Sequence, residues 1–193
     1  MDKVRLNGYR LKVNIKNYQK GLVYFNEPAT EKGKKILRID QNMWMYFPSN
    51  QKAIRVSSKD RLMGGDFSFS DIIRVDLVHD YHSQLIGDKD IGGVACYELE
   101  LKAKDPTVAY DKVMYYVNKS TLNPVYAEFY TVSGKMLKSM TFKNPKVLGG
   151  ILRPTVMQVD SVITKGNKTV IEILSIEPKE FSDSMFTLEY LKR

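Results

Sequence analysis

The strongest constraint on the fold is an alternation of apolar and polar residues with a period of two. Residues 9–16, YRLKVNIK, and residues 96–104, CYELELKAK, place apolar side chains at every second position. Successive side chains of a β-strand point to opposite faces, so this pattern predicts strands with one apolar face. Similar runs follow, separated by turn signals such as Ser133-Gly134 and Gly149-Gly150. The sequence therefore predicts roughly ten antiparallel strands joined by hairpins, as in a sandwich or barrel.

One segment, residues 68–83, breaks the strand pattern and is typical of a helix. Ser70 is a candidate cap, Asp71 would lie in the first turn, and Ile72 begins an apolar side. A single short helix near residues 70–80 cannot cover so many strands. Either the sheet curls onto itself, or it leaves a concave apolar surface for another molecule to fill.

Length and composition favour one domain over residues 1–193. The chain is 43% hydrophobic, which is enough for a substantial core. It has no uncharged apolar run long enough to span a bilayer, and its first ten residues lack the apolar centre of a secretory signal. Because a strand pattern begins almost at once, we expect that a leader has been removed from this sequence.

The charge of the chain favours acidic partners without naming one. The formal net charge is +8, which favours contact with anionic membranes, acidic polymers or nucleic acid. The lysines are spread along the chain, mostly near strand ends and turns, where they protect sheet edges. No nucleic-acid-binding module is recognisable, so we expect no nucleic-acid partner.

No pattern in the sequence predicts catalysis, a cofactor or a metal. Asp76, His79, Asp80 and His82 are close enough in sequence for a metal site, but a polar end of a helix is the favoured interpretation. The single cysteine, Cys96, lies in a strand pattern and has no matching histidine and carboxylate. There is also no glycine-rich phosphate loop. We therefore expect a protein that is not an enzyme, and an esterase is the weakest of the functions considered.

Residues 43–72 combine aromatic and methionine side chains with short turns. Flexible methionine and amphipathic tyrosine suit a surface that accepts acyl chains of varied shape, and the chain has nine Met, twelve Tyr and eight Phe. In the strand at 43–47, only one set of alternating side chains can face such a surface. We favour Trp44 and Tyr46 as lining, with Met43, Met45 and Phe47 as the structural alternative.

The chain resembles the LolA-like outer-membrane lipoprotein-sorting protein family, in particular its uncharacterised periplasmic branch. Five segments in order carry the resemblance: PATEKG at 28–33, WMYFP at 44–48, KAIRV at 52–56, MGGDFSFSDI at 63–72 and FTLEYL at 186–191. The resemblance implies a mainly β fold, an unclosed and strongly curved antiparallel half-barrel, with the helix near 70–80 as part of a lid. It also implies that the signal peptide and the first lid helix are absent here.

The resemblance implies a non-enzymatic periplasmic carrier that binds acyl chains of lipids or lipoproteins for transport to the outer membrane. Its partners would be those acyl chains, a membrane-associated donor or acceptor protein, and transient contact with anionic membranes. The alternative is a periplasmic sensor or scaffold that binds a protein partner through its sheet. The predicted ligand-binding residues are Trp44, Tyr46, Met63, Phe67, Phe69, Ile72, Leu99, Leu101, Tyr115 and Phe129.

A glycine pair precedes two of these residues. Gly64 and Gly65 are predicted to permit a turn with positive φ, which Asp66 would tie to nearby backbone amides. As a hinge, the pair would also let Phe67 and Phe69 move with the following helix like a lid.

Overall fold

The computed structural model describes residues 8–62, 65–73, 76–162 and 168–193. They form two compact units, each built on one antiparallel sheet. The first unit comprises residues 8–60, 69–73 and 180–193; the second comprises residues 61–62, 65–68, 76–162 and 168–179. The single domain predicted over 1–193 stays a prediction.

The first unit contains a five-stranded sheet in which each strand pairs with the next along the chain. Its strands are β1 (Arg10–Lys16), β2 (Lys20–Glu27), β3 (Lys35–Ile39), β4 (Asn42–Phe47) and β5 (Lys52–Val56). Short helices α1 (Phe69–Ile73) and α3 (Leu188–Leu191) belong to the same unit, with a 3-10 helix at Asp183–Met185.

Residues of the same unit pack against both faces of this sheet. On one face, Phe186 and Leu191 pack against Leu22, Leu37 and Tyr46 in a buried cluster. On the other face, α1 approaches β2 so closely that a Cβ at Gly21 would lie 2.6 Å from Cγ1 of Ile73. Glycine at this position therefore allows the helix to lie directly against the strand.

The second unit contains a seven-stranded sheet built from consecutive hairpins. Its strands are β6 (Tyr81–Ile91), β7 (Val94–Ala103), β8 (Lys112–Asn118), β9 (Pro124–Tyr130), β10 (Met136–Leu148), β11 (Ile151–Ser161) and β12 (Lys168–Glu172), with helix α2 (Leu77–Asp80) before the first. The outer strands β6 and β12 do not pair with each other among the described residues, so this sheet stays open. None of the described helices has the length and apolar character needed to cross a membrane.

The predicted helix at 68–83 differs from the structure in extent. The described residues form two short helices, α1 and α2, and Arg74 and Val75 between them are not among the described residues. Tyr81 already pairs with Ala103 at the start of β6. Pairing with β7 therefore overrides the helical pattern after Asp80. The described residues also contain twelve strands, two more than the sequence predicted.

Candidate functional site

One face of the seven-stranded sheet is apolar across nearly its whole width. Strand register places the following residues in one row, each directly paired with the next: Leu99, Tyr115, Ala127, Met140 and Val159. Two parallel rows flank it, Leu101 with Val113 and Phe129, and Phe142 with Met157 and Ile171. We call these eleven residues the apolar face. Because directly paired residues point the same way, the face is continuous.

Six of the eleven residues of the apolar face are buried and the other five are only partly buried. Val113, Ala127 and Val159 are fully buried. Leu99, Tyr115, Phe142, Met157 and Ile171 pack against this core but keep part of their surface accessible. The face therefore offers large apolar side chains to a ligand without being a packed interior throughout.

Tyr115 gives the apolar face a polar group. Burial raises the pKa of its phenol to about 12. Its ring lies edge-on to that of Phe142, with 6.0 Å between the centroids. Among the described residues, none forms a hydrogen bond with its hydroxyl group. A phenol in such apolar surroundings can donate a hydrogen bond to a carbonyl group of a ligand.

The short segment of residues 65–68 is attached to one side of this face. The Lys138 ammonium lies 5.0 Å from the Tyr110 ring centroid, 5.3 Å from that of Phe129 and 5.7 Å from that of Phe67. It also donates a hydrogen bond of 3.2 Å to the backbone carbonyl of Asp66. Attraction between the cation and the rings, with this hydrogen bond, fixes Phe67 against the sheet.

Two further hydrogen bonds attach the same segment. Ser68 Oγ lies 3.0 Å from the hydroxyl of Tyr110, and the backbone N–H of Asp66 donates to Oγ1 of Thr169 over 3.2 Å. The positive φ predicted for Gly65 is wrong, and a Cβ at this residue would lie 3.3 Å from the Leu62 carbonyl oxygen. Gly64, the other half of the predicted hinge, lies outside the described residues. Movement of this segment as a lid stays a prediction.

The opposite face of the sheet is polar. The Tyr116 hydroxyl donates to Glu98 over 3.2 Å, and the Tyr130 hydroxyl donates to Glu128 over 2.7 Å. Burial, followed by the nearby carboxylates Glu128 and Glu98, raises the pKa of Tyr116. Burial and the bond to Glu128 raise the pKa of Tyr130 to about 12. The sheet is thus amphipathic, and only one of its faces suits an apolar ligand.

The structure brings half of the predicted ligand-binding residues together. Leu99, Leu101, Tyr115 and Phe129 belong to the apolar face, and Phe67 packs on it. Trp44 and Tyr46 lie in the first unit, in the cluster covered by Phe186 and Leu191. Phe69 and Ile72 are in α1, and Met63 lies outside the described residues. For all ten, contact with a ligand stays a prediction.

Seven of the eleven residues of the apolar face were missed by the sequence reasoning, and three of them keep accessible surface: Phe142, Met157 and Ile171. A signal for the first two was present. The Gly149-Gly150 turn joins β10 to β11, with both glycines at positive φ. Counting back equally from this turn pairs Phe142 with Met157, as the structure has it. No comparable signal identified Ile171, because the stretch of sequence between β11 and β12 is longer than the one between β10 and β11.

The cluster considered for a metal has a structural role in the helix that it begins. The Asp76 side chain accepts a hydrogen bond from the backbone N–H of His79 over 2.9 Å and caps α2. Nowhere in the described part of the chain do three or more His, Cys, Asp or Glu residues form a group suited to a metal ion.

Comparisons with known proteins give a consistent result. The model of a family described as that of an uncharacterized protein matches residues 17–193. No match was found among curated proteins. The chain is 34% identical to a LolA superfamily protein from Nitrosomonas europaea, with a TM-score of 0.86, over 94% of this chain and 82% of that one.

Two further solved structures are similar over most of their length. One is a domain from Vibrio parahaemolyticus described as an outer membrane lipoprotein-sorting protein, with 25% identity, a TM-score of 0.75 and coverage of 96% of this chain and 83% of that one. The other is a DUF1329 family protein from Desulfovibrio piger, with 28% identity, a TM-score of 0.79 and coverage of 89% and 76% respectively. The predicted fold class, mainly β and an unclosed antiparallel LolA-like half-barrel, is confirmed.

Proposed function

Since this chain belongs to the LolA superfamily, we propose that it is a non-enzymatic periplasmic carrier of acyl chains. Its cargo would be the acyl groups of lipids or lipoproteins, which it would shield during sorting to the outer membrane. The solved relative from Vibrio parahaemolyticus is described as a lipoprotein-sorting domain. This description supports the class of cargo, while the choice of surface rests on the residues of this chain.

The observation that carries the proposal is the apolar face of the seven-stranded sheet. Leu99, Tyr115, Phe142, Met157 and Ile171 are all large, and all keep accessible surface. An acyl chain lying along them would remove apolar area from water on both partners. Each enclosed methylene contributes about 0.8 kcal/mol, so about ten methylenes give roughly 8 kcal/mol before the cost of ordering the chain.

Tyr115 would orient the cargo on this surface. Acyl chains of lipids and lipoproteins end in an ester or amide carbonyl, which accepts a hydrogen bond. The Tyr115 hydroxyl is a donor with no protein partner among the described residues. A cargo carbonyl beside it would place the acyl chain over the partly buried side chains of Phe142 and Met157.

The first unit supports the proposal less directly. The face that holds Trp44 and Tyr46 is packed against Phe186 and Leu191, so the chain's own C-terminal residues occupy it. For these two residues, binding of cargo would require that segment to move. The seven-stranded sheet needs no such rearrangement for its partly buried residues to contact an acyl chain.

The test is lipid extraction and native mass spectrometry of the purified protein and two variants. Ile171→Asp places a charge on the apolar face, whereas Val170→Asp places the same charge one residue earlier on β12, where the side chain is exposed. Wild type and Val170→Asp should retain acyl species, and Ile171→Asp should lose them. Wild-type protein with no acyl species, and no capture of added lipid, would contradict the proposal and favour a sensor or scaffold that binds a protein.

A further inference from the structure

The β10–β11 hairpin exposes apolar residues at its end. Strand β9 pairs with β10 only as far as Thr141, so the hairpin continues beyond it to the Gly149-Gly150 turn. Near that turn Val147 is 67% exposed and Ile151 is 59% exposed. Leu152, paired directly with Val147, is also exposed. We call residues 146–153 the hairpin tip.

Two cations lie directly opposite each other at the base of the hairpin tip. Lys146 pairs with Arg153 in the strand register. Like charges in this position repel each other and destabilise a hairpin. Neither forms an ion pair with a carboxylate of the described residues, and Nε of Arg153 is buried there without a hydrogen-bond partner. Both groups therefore favour an anion supplied by another molecule.

The order of side chains along the hairpin tip matches the layers of a bilayer surface. Next to the turn is the pair Leu148 and Ile151, then Val147 and Leu152, then the two cations. At about 3.4 Å per residue, the cations lie roughly 7 Å behind the first apolar pair. Interfacial apolar groups enter a bilayer to about 5–10 Å, so the cations would lie at the level of the lipid phosphates.

The turn itself is suited to insertion as a rigid unit. Gly149 and Gly150 have φ of 61° and 81°, as a two-residue hairpin loop with the native strand twist requires. A Cβ at Gly149 would lie 3.1 Å from Cγ2 of Ile176, so the tip is also supported from the side. Leu174, two residues before Ile176, is also exposed.

We infer that the hairpin tip is a docking surface for anionic phospholipid bilayers, with Val147 and Ile151 entering the interface and Lys146 and Arg153 binding phosphate. The inference rests on the proposed function, because a carrier of acyl chains must meet a membrane to load or release them. The formal net charge of +8 would add attraction that is not specific to this surface. The tip then determines which part of the protein makes contact.

The experiment measures flotation of the purified protein with vesicles of equimolar phosphatidylglycerol and phosphatidylcholine, and with vesicles of phosphatidylcholine alone. Wild type should bind the anionic vesicles, more weakly as salt increases. Replacing Lys146 and Arg153 by Gln should weaken binding about 25-fold, because each cation at the membrane surface contributes a factor of about five. Replacing Lys89 and Lys135 by Gln removes the same charge elsewhere and should have a much smaller effect.

A second pair of variants tests the apolar part. Val147→Asp with Ile151→Asp should reduce binding by more than about tenfold, since each places a charge in the interface. The matched control is Val132→Asp with Leu122→Asp, which changes exposed apolar residues in two other turns. Because all four side chains are exposed, circular dichroism and the melting temperature should stay close to those of the wild type.

Three results would overturn the inference: no binding of wild type to anionic vesicles, tip variants that bind like the wild type, or control variants that lose as much binding as the tip variants. The carrier function is judged separately, by co-purifying acyl species. Tip variants that lose vesicle binding but retain acyl species support both proposals. Tip-dependent vesicle binding by a protein that never captures lipid supports the docking surface and contradicts the carrier.

Discussion

Replacing Tyr115 by Phe should make the protein more resistant to alkali. Burial holds the pKa of Tyr115 at about 12 in the folded protein, against an ordinary value of about 10 in the unfolded chain. Because the pKa is higher in the folded state, its contribution to the free energy of unfolding is fully present below about pH 10. This contribution is lost as the pH rises to about 12. A pKa difference of about two corresponds to roughly 3 kcal/mol in total, of which about half is lost at about pH 11.

The measurement is urea unfolding of wild type and Tyr115→Phe at about pH 8 and about pH 11. At the lower pH the two should be similar, because the hydroxyl has no hydrogen-bond partner among the described residues. At the higher pH the variant should be more stable by about 1 kcal/mol. Tyr130→Phe is the contrasting variant, since it removes the bond to Glu128 and should cost about 1 kcal/mol at the lower pH as well. An equal difference between wild type and Tyr115→Phe at both pH values would refute the reasoning.

Two further predictions concern the first unit. Gly21→Ala should destabilise the fold by about 1–3 kcal/mol in urea unfolding because its Cβ meets Ile73, and the same substitution should cost less in a chain that already carries Ile73→Ala. Asp183→Asn should reduce the loss of stability that the protein shows as the pH falls into the acidic range. Hydrogen bonds from Lys20 and Lys16 lower the pKa of Asp183, so its contribution is present above about pH 4 and is lost as the pH falls below that value. Melting temperatures at about pH 7 and about pH 3 should therefore differ less in the variant, and an unchanged profile would contradict this.

Local sequence patterns predicted roughly ten antiparallel strands joined by hairpins, against twelve strands in the described residues. Alternation in residues 96–104 placed Leu99 and Leu101 on one face, and the structure has both on the apolar face. Side-chain period and turn residues act over a few positions, so they can be recognised without knowledge of the remaining fold. The position of the Gly149-Gly150 turn was also sufficient to indicate that Phe142 pairs with Met157.

Contacts between distant parts of the sequence could not be predicted in this way. The cover over Trp44 and Tyr46 comes from Phe186 and Leu191, about 140 positions later. The division of the strands into two sheets depends on which strands stop pairing, and β5 and β6 are separated by the two short helices. Similarly, Phe67 was predicted from its place after a glycine pair in an aromatic segment, but its position depends on Lys138, which attracts its ring. No local pattern connects those two residues.

The two sheets differ in how residues of the same unit cover their apolar surfaces, and this difference supports the proposed binding surface. In the five-stranded sheet, α1 approaches Gly21 on one face and Leu191 packs on the other. The protein's own residues therefore pack on the apolar surface of this sheet. In the seven-stranded sheet, one face is occupied by carboxylates and tyrosines such as Glu98 and Tyr116. The apolar face of the same sheet combines accessible apolar side chains with the hydroxyl of Tyr115. An acyl chain with a carbonyl end matches that combination, because it supplies the apolar contact and the hydrogen-bond acceptor together.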